Sequence, residues 1–171
     1  MQLKESDIKE MVAQVLAQLG NESKQPSSSK EQGNSEVPLG NGVFQTVDEA
    51  AEAATEAWDK LRATSLETRK NMIKKMREVS LEHAKALAEL AVNETGLGRV
   101  EDKVAKNLLA ANKTPGVEDI VATTYSGDGG LTLVEYSPVG VYGAITPSTN
   151  PAATIINNSI SLVAAGNAVV F

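Results

Sequence analysis

The sequence predicts an α/β protein that opens a doubly wound, parallel sheet. Three observations carry that expectation. Residues 139–171 read as strand, turn, helix and strand, the βαβ unit from which such sheets are built. Upstream, residues 46–112 repeat apolar side chains at three-and-four spacing, interrupted near Ser65 and Gly96, as consecutive amphipathic helices do. From Ile120 to the end of the chain only Asp128 and Glu135 are charged, and a Gly-rich turn splits two apolar runs into a hairpin pattern.

In chain order, Ile8, Met11, Val12, Val15, Leu16 and Leu19 form one apolar stripe on a short helix over residues 6–19. Ser6 or Asp7 caps it and Gly20 ends it, so the first segment is 1–20. Residues 21–41 are rich in Ser, Gln, Asn, Gly and Glu, have nothing to bury, and read as a flexible linker. A helix this short is marginal alone in water, and so polar a tether does not hold it on the body. It reads as a docking or targeting element. The alternative is an arm packed on its own domain or on a sister subunit. Its polar face is not notably basic and the stripe lacks Trp and Phe, which argues against a membrane-surface helix.

A helical segment spans 42–119. Thr46 with Glu49 forms a capping box, and Val47, Ala50, Ala54, Trp58 and Leu61 set one face of a helix to about Ala63, with Trp58 in the core. Ser65 caps the next helix, which carries Met72, Ile73, Met76 and Val79 inward. Arg69, Lys70, Lys74, Lys75 and Arg77 alternate with Glu67 and Glu78 on what reads as a solvated face. Ser80 is expected to bend or break this helix, and Leu81, Ala84, Leu87, Ala88, Leu90 and Ala91 continue the stripe. His83 falls among surface residues. A further helix, from about Val100 to Asn112, turns Val104, Leu108 and Ala111 inward and leaves Lys103 and Lys106 on its flanks. Residues 120–137 form the hairpin, whose Leu131, Leu133 and Val134 need another surface to cover them, so it is expected to project toward a second domain or subunit.

The βαβ unit occupies 138–171. Val141 to Ile145 reads as a buried parallel strand, and Pro151 suits the first turn of the helix that follows. Ala165-Gly166-Asn167 closes that helix, and Ala168 to Phe171 is the second strand. Ligands of such units sit at the C-terminal end of the first strand, beside a helix N-terminus. Here that place is the turn Thr146–Asn150, whose side chains are hydroxyls and an amide without charge. No GxGxxG fingerprint accompanies it. By pattern alone the turn is a cofactor or substrate site, or only a connector.

Bulk properties exclude several classes. Net charge is −6, with no basic patch interleaved with aromatics, so nucleic acid is not the expected partner. The chain has no cysteine and one histidine, which leaves no disulfide, no multi-histidine metal site and no thiol nucleophile. No run is long and apolar enough to span a membrane, and the N-terminus is not a secretory signal, so a cytosolic protein is expected. Phe171 lies inside an apolar strand, and the expectation is an N-terminal part of a longer protein. Residues 42–171 alone are then expected to expose apolar surface and aggregate.

The run Pro138-Val139-Gly140-Val141-Tyr142-Gly143-Ala144-Ile145-Thr146-Pro147, with Asn150-Pro151 and Ala165 to Phe171, resembles the first Rossmann strand, helix and second strand of the aldehyde dehydrogenase superfamily. Thr146 to Ile160, Asn93 to Lys103, Thr114 to Asp119 and Ser126 to Thr132 are similar to its CoA-acylating branch, the ethanolamine- and propanediol-utilisation enzymes. The resemblance covers residues 42–171. It implies the N-terminal part of an aldehyde dehydrogenase fold: a helical segment, an oligomerisation hairpin and the first βαβ of a Rossmann-like domain. It also implies conversion of a short-chain aldehyde with NAD and coenzyme A (CoA) into an acyl-CoA by a homo-oligomer. The cofactor would lie along Ile145, Thr146, Pro147 and Ser148. In non-acylating relatives the turn reads Pro-Trp-Asn-Phe-Pro and its Asn donates to the oxyanion. An ungapped match puts Thr149 there, with Asn150 one residue later, so either is the candidate catalytic donor. Residues 1–41 resemble the encapsulation peptide that takes such enzymes into bacterial microcompartments by binding a shell protein. A truncated, non-catalytic cargo protein is the alternative.

Residues 1–20 fused to a fluorescent protein are therefore expected to co-purify with microcompartment shells. Each fully buried Val or Leu contributes about 1.5–3 kcal/mol, so Val15→Asp with Leu16→Asp should abolish the association. Equal recovery of both fusions with shells would reject the docking role.

Overall fold

The computed structural model describes residues 40–171; the helix expected at 6–19 and all but the end of the linker lie outside them. Helix α1 (Val47–Arg62) starts at the expected capping box: the Thr46 hydroxyl accepts from the Glu49 amide and the Glu49 carboxylate accepts from the Thr46 amide. Helix α2 (Leu66–Thr95) is capped by the Ser65 hydroxyl and ends at Gly96, whose φ of 66° is the left-handed conformation that stops a helix. Helix α3 (Val100–Lys113) follows, and a single 3-10 turn (Val117–Asp119) leads out of it.

Ser80 neither bends nor breaks α2, which runs unbroken for 30 residues. Its hydroxyl donates to the Met76 carbonyl one turn back, at 2.7 Å, using the second lone pair of the oxygen that also accepts the Ser80 amide, so the two bonds coexist. The buried face of α2 also differs from the expected stripe. Ile73, Ala84, Ala88 and Ala91 are inside, whereas Met72, Val79, Leu81 and Leu90 face solvent. Alanines bring the backbones of α2 and α3 close together, and so close a seam has no room for leucine. On α3 the buried residues are Lys103, Asn107 and Ala111, and Leu108 is exposed. Asn107 fits this seam because its amide donates to the Ala84 carbonyl at 3.0 Å. Val47 is likewise exposed at the start of α1, and Trp58 is only half-buried.

Two arginines read as solvated are not. Arg77 donates to the carbonyls of Ala111 (2.6 Å) and Thr114 (2.7 Å), supplying partners to the open end of α3. Arg69 donates to the Ala164 carbonyl at 3.3 Å. Lys70, Lys74 and Lys75 do face solvent. The core gathers where α2, α3, the 3-10 turn and the last helix meet: Ile73, Ala111, Val117, Ile156, Ile160 and Ala164.

The hairpin is antiparallel, β1 (Thr123–Gly127) with β2 (Gly130–Val134), in register from Thr123↔Val134 to Gly127↔Gly130. All ten of its residues are exposed, and among the described residues it joins no other strand. Strands β3 (Val141–Gly143) and β4 (Ala168–Val170) pair in parallel, Val141 opposite Ala168, with α4 (Pro151–Ala164) between them in sequence. The fold is thus an α/β arrangement of helices with small sheets, consistent with the N-terminal part of a Rossmann-like subdomain. The first strand is shorter than expected and not buried; Ile145 is 99% exposed and lies beyond it. With one hydrogen-bonded neighbour among the described residues, β3 keeps an open edge.

Helix α4 ends in a Schellman motif. The Gly166 amide donates to Val163 and the Asn167 amide to Leu162, with Gly166 at φ 82°. A Cβ at Gly166 would lie 3.2 Å from the Arg69 guanidinium, so both backbone and space require glycine. The Gly166 carbonyl accepts from the Trp58 indole at 3.1 Å. Asn167 is 3% exposed, and its Oδ1 accepts from the amides of Val139 (2.6 Å) and Gly140 (3.0 Å). One side chain thus ties the end of α4 to the entry of β3.

Asn167→Ala in the intact protein is expected to lower unfolding free energy by about 1–3 kcal/mol, because the buried Gly140 amide loses its acceptor. Asn167→Asp keeps an acceptor and should lose less. Urea titration measures both, and an alanine variant within about 0.5 kcal/mol of wild type would deny the tie a structural role.

Candidate functional site

The turn expected to hold the site begins where the sheet ladder ends. The Ala144 amide donates to Val170 at 2.8 Å, and the chain then leaves the sheet. Pro147 cannot donate, and the Asn150 amide closes a turn onto the Pro147 carbonyl at 3.2 Å. Pro151 is the first residue of α4, which holds Asn150 out of helical geometry, at φ −143° and ψ 56°. Two prolines thereby restrict the segment from both ends. Among the described residues, the amides of Ile145, Thr146, Ser148 and Thr149 make no hydrogen bond within the chain. These are free donors at the C-terminal end of a parallel strand, the position that suits ligand oxygens.

Asn150 occupies the N-cap of α4 but does not cap it. Its Oδ1 accepts instead from Lys106 Nζ at 3.0 Å. One turn earlier on α3, Lys103 Nζ donates to the Thr149 carbonyl at 2.7 Å. Lys103 is 7% exposed and has no acidic partner among the described residues. Its methylene stem lies along the alanine seam, with Cε 3.4 Å from where a Cβ on Gly98 would stand. Thr149 is exposed, and its hydroxyl makes no hydrogen bond among the described residues.

The structure therefore brings Thr149 and Asn150 together with two lysines that sequence reasoning left on the flanks of α3. The available signal was the polar run Lys103, Asn107, with Ala111, at i, i+4 and i+8. It marks a buried face that the apolar residues Val104 and Leu108 do not. Before this helix, Arg99 grips Asp102 with two bonds, 2.7 and 3.1 Å. Hydrogen bonding to Arg99 holds the Asp102 carboxyl below its ordinary pKa. That pair supports the first turn of α3 above the unfolded carboxylate pKa, and its contribution disappears as pH falls through the lower folded value.

Beside Asn150 an open groove of about 510 Å³ runs between α3 and α4, with Lys106, Leu109, Thr114, Thr154 and Asn157 along it. An apolar hollow of about 660 Å³ between α1 and β4 lies away from the turn. No group of three or more His, Cys, Asp or Glu that could hold a metal occurs among the described residues.

The sequence profile of the aldehyde dehydrogenase family matches residues 20–171. An acetaldehyde dehydrogenase (acetylating) of Salmonella typhimurium is 47% identical over 169 residues, covering 99% of this chain and 34% of that protein. The chain thus spans about a third of the length of the curated relatives it matches. A propionaldehyde dehydrogenase from the Clostridium phytofermentans fucose utilisation bacterial microcompartment superposes with a TM-score of 0.72 at 52% identity, covering 76% of this chain and 30% of that one. A Rhodopseudomonas palustris propionaldehyde dehydrogenase, solved with bound CoA and an acylated cysteine, superposes with a TM-score of 0.74 at 50% identity, over 78% and 31%.

Proposed function

The chain belongs to the aldehyde dehydrogenase family, and we propose that the whole protein converts a short-chain aldehyde, NAD⁺ and CoA into an acyl-CoA and NADH. The observation that carries this reading is the similarity to acylating dehydrogenases of acetaldehyde and propionaldehyde, which runs through the strand-end turn Ile145–Asn150. When bound, NAD⁺ accepts hydride and CoA supplies the thiol that carries the acyl group away. The 171 residues contain no cysteine, so the attacking thiol is not among them.

The segment Ile145, Thr146, Pro147 and Ser148 suits the cofactor because the amides of Ile145, Thr146 and Ser148 are unengaged and none of its side chains carries a charge. The other task of this segment is to stabilise the oxygen that becomes negative when the thiolate adds to the aldehyde. Asn150 is favoured over Thr149 for it. A lysine ammonium can only donate, so the oxygen of the Asn150 amide faces Lys106 and the NH₂ is left to donate elsewhere. The adjoining groove gives the aldehyde's carbon chain a place beside that donor. The exposed hairpin suits a subunit contact, and the microcompartment origin of a solved relative supports a cytoplasmic enzyme carried as microcompartment cargo through residues 1–20.

NADH formation by the whole enzyme should require both aldehyde and CoA. Asn150→Ala should cut turnover by about a hundred- to a thousand-fold, the usual loss of one oxyanion donor. Thr149→Val should stay within about threefold of wild type, and NAD⁺ binding should survive in both. Equal NAD⁺ reduction without CoA would overturn the acylating assignment, and a silent Asn150→Ala would make the turn a connector.

A further inference from the structure

Asparagine at an N-cap ordinarily turns its side-chain oxygen onto the N–H groups of its own helix. Asn150 gives up that bond, and the oxygen goes to Lys106 on a different helix. The backbone just before it is held from the same helix face by Lys103, whose ammonium lies at 2.7 Å from the Thr149 carbonyl. That contact buries an ammonium, a costly arrangement unless the group is held by a hydrogen bond. Lys103 shares the buried face of α3 with Asn107 and Ala111, so its stem belongs to the seam, but its ammonium is satisfied at the turn and not by α2.

We infer that Lys103 and Lys106 are positioning residues for the strand-end turn: Lys103 fixes its backbone, and Lys106 fixes which way the Asn150 amide points. This rests on the reading of Asn150 as the oxyanion donor. With the lysine present, the amide has one allowed orientation, NH₂ outward. Without it, the amide is free to flip or to cap α4, and either motion takes the donor away from the reacting oxygen. Neither lysine touches substrate in this scheme; each acts through the turn.

The test is a double-mutant cycle in the whole enzyme. Lys106→Met should lower kcat about tenfold or more, as misplacement of a catalytic group does, with the KM for aldehyde, NAD⁺ and CoA within about threefold. In an Asn150→Ala background the same change should matter less than about twofold, because its target is gone. Lys106→Arg, which retains a donor, should recover much of the loss. Hydrogen exchange supplies a readout independent of activity: Lys103→Met should speed exchange of the Asn150 amide about tenfold while helix α2 keeps wild-type protection. A Lys106→Met effect equal in both backgrounds, or none in the wild-type background, would overturn the positioning role of Lys106. Unchanged Asn150 exchange in Lys103→Met would overturn that of Lys103. If Asn150→Ala is itself silent, the oxyanion reading fails and takes the Lys106 inference with it, while the exchange result for Lys103 still stands or falls alone.

Discussion

Helix α4 is held at both ends by groups from elsewhere in the chain, and the arrangement of the described residues follows from that constraint. At its C-terminus the Trp58 indole donates to the Gly166 carbonyl and the Arg69 guanidinium to that of Ala164, while the Asn167 side chain accepts from the amides of Val139 and Gly140. At its N-terminus Lys103 and Lys106 reach across from α3. The middle of the helix supplies the apolar contact, through Ile156, Ile160 and Ala164. Because β3 enters at Asn167 and leaves toward Asn150, fixing α4 fixes the strand as well. The turn at its end is then placed by the same contacts.

A common chemistry runs through these contacts. Arg69, Arg77 and Lys103 each donate to main-chain carbonyls, and Lys106 to an amide oxygen. Of the four, Arg77 alone also meets a carboxylate among the described residues, that of Glu118. The open ends of helices carry partial negative charge and unpaired oxygens, so a long cation can satisfy them while its stem covers apolar surface. The ion pairs between close neighbours on helix surfaces, such as Lys60 with Glu56, are exposed and contribute little by comparison.

Local chemistry was legible in the sequence, and long-range choices were not. Thr46 with Glu49, Ser65, Gly96, Pro151 and Gly166 marked helix ends within a residue or so, because each acts through its own backbone. The hairpin and the parallel pair were also visible as patterns. Which face of a helix turns inward was less so: Met72, Val79 and Leu108 point outward because the seam between α2 and α3 was built from alanine. Ser80 misled for a related reason, since its hydroxyl can serve the helix it was expected to break. At the site, Thr146–Asn150 could be located from the βαβ pattern, but its two lysines could not. They lie 46 and 44 residues away from their partners, and no spacing rule connects them.

The alanine seam has a consequence for how this protein tolerates change. Ala88 is fully buried and Ala84 and Ala91 nearly so, all three on the face of α2 toward α3. Their methyl groups act as shims that set the gap between the two helices, and α3 is the lever on which both lysines are mounted. A single larger side chain at Ala88 would widen that gap, and overpacked cores answer by shifting backbone as well as side chains. The turn would then feel a substitution made in a region with no chemistry of its own. Conservatism at these alanines, in any collection of working variants, would accordingly measure the mechanical tolerance of the site at a distance.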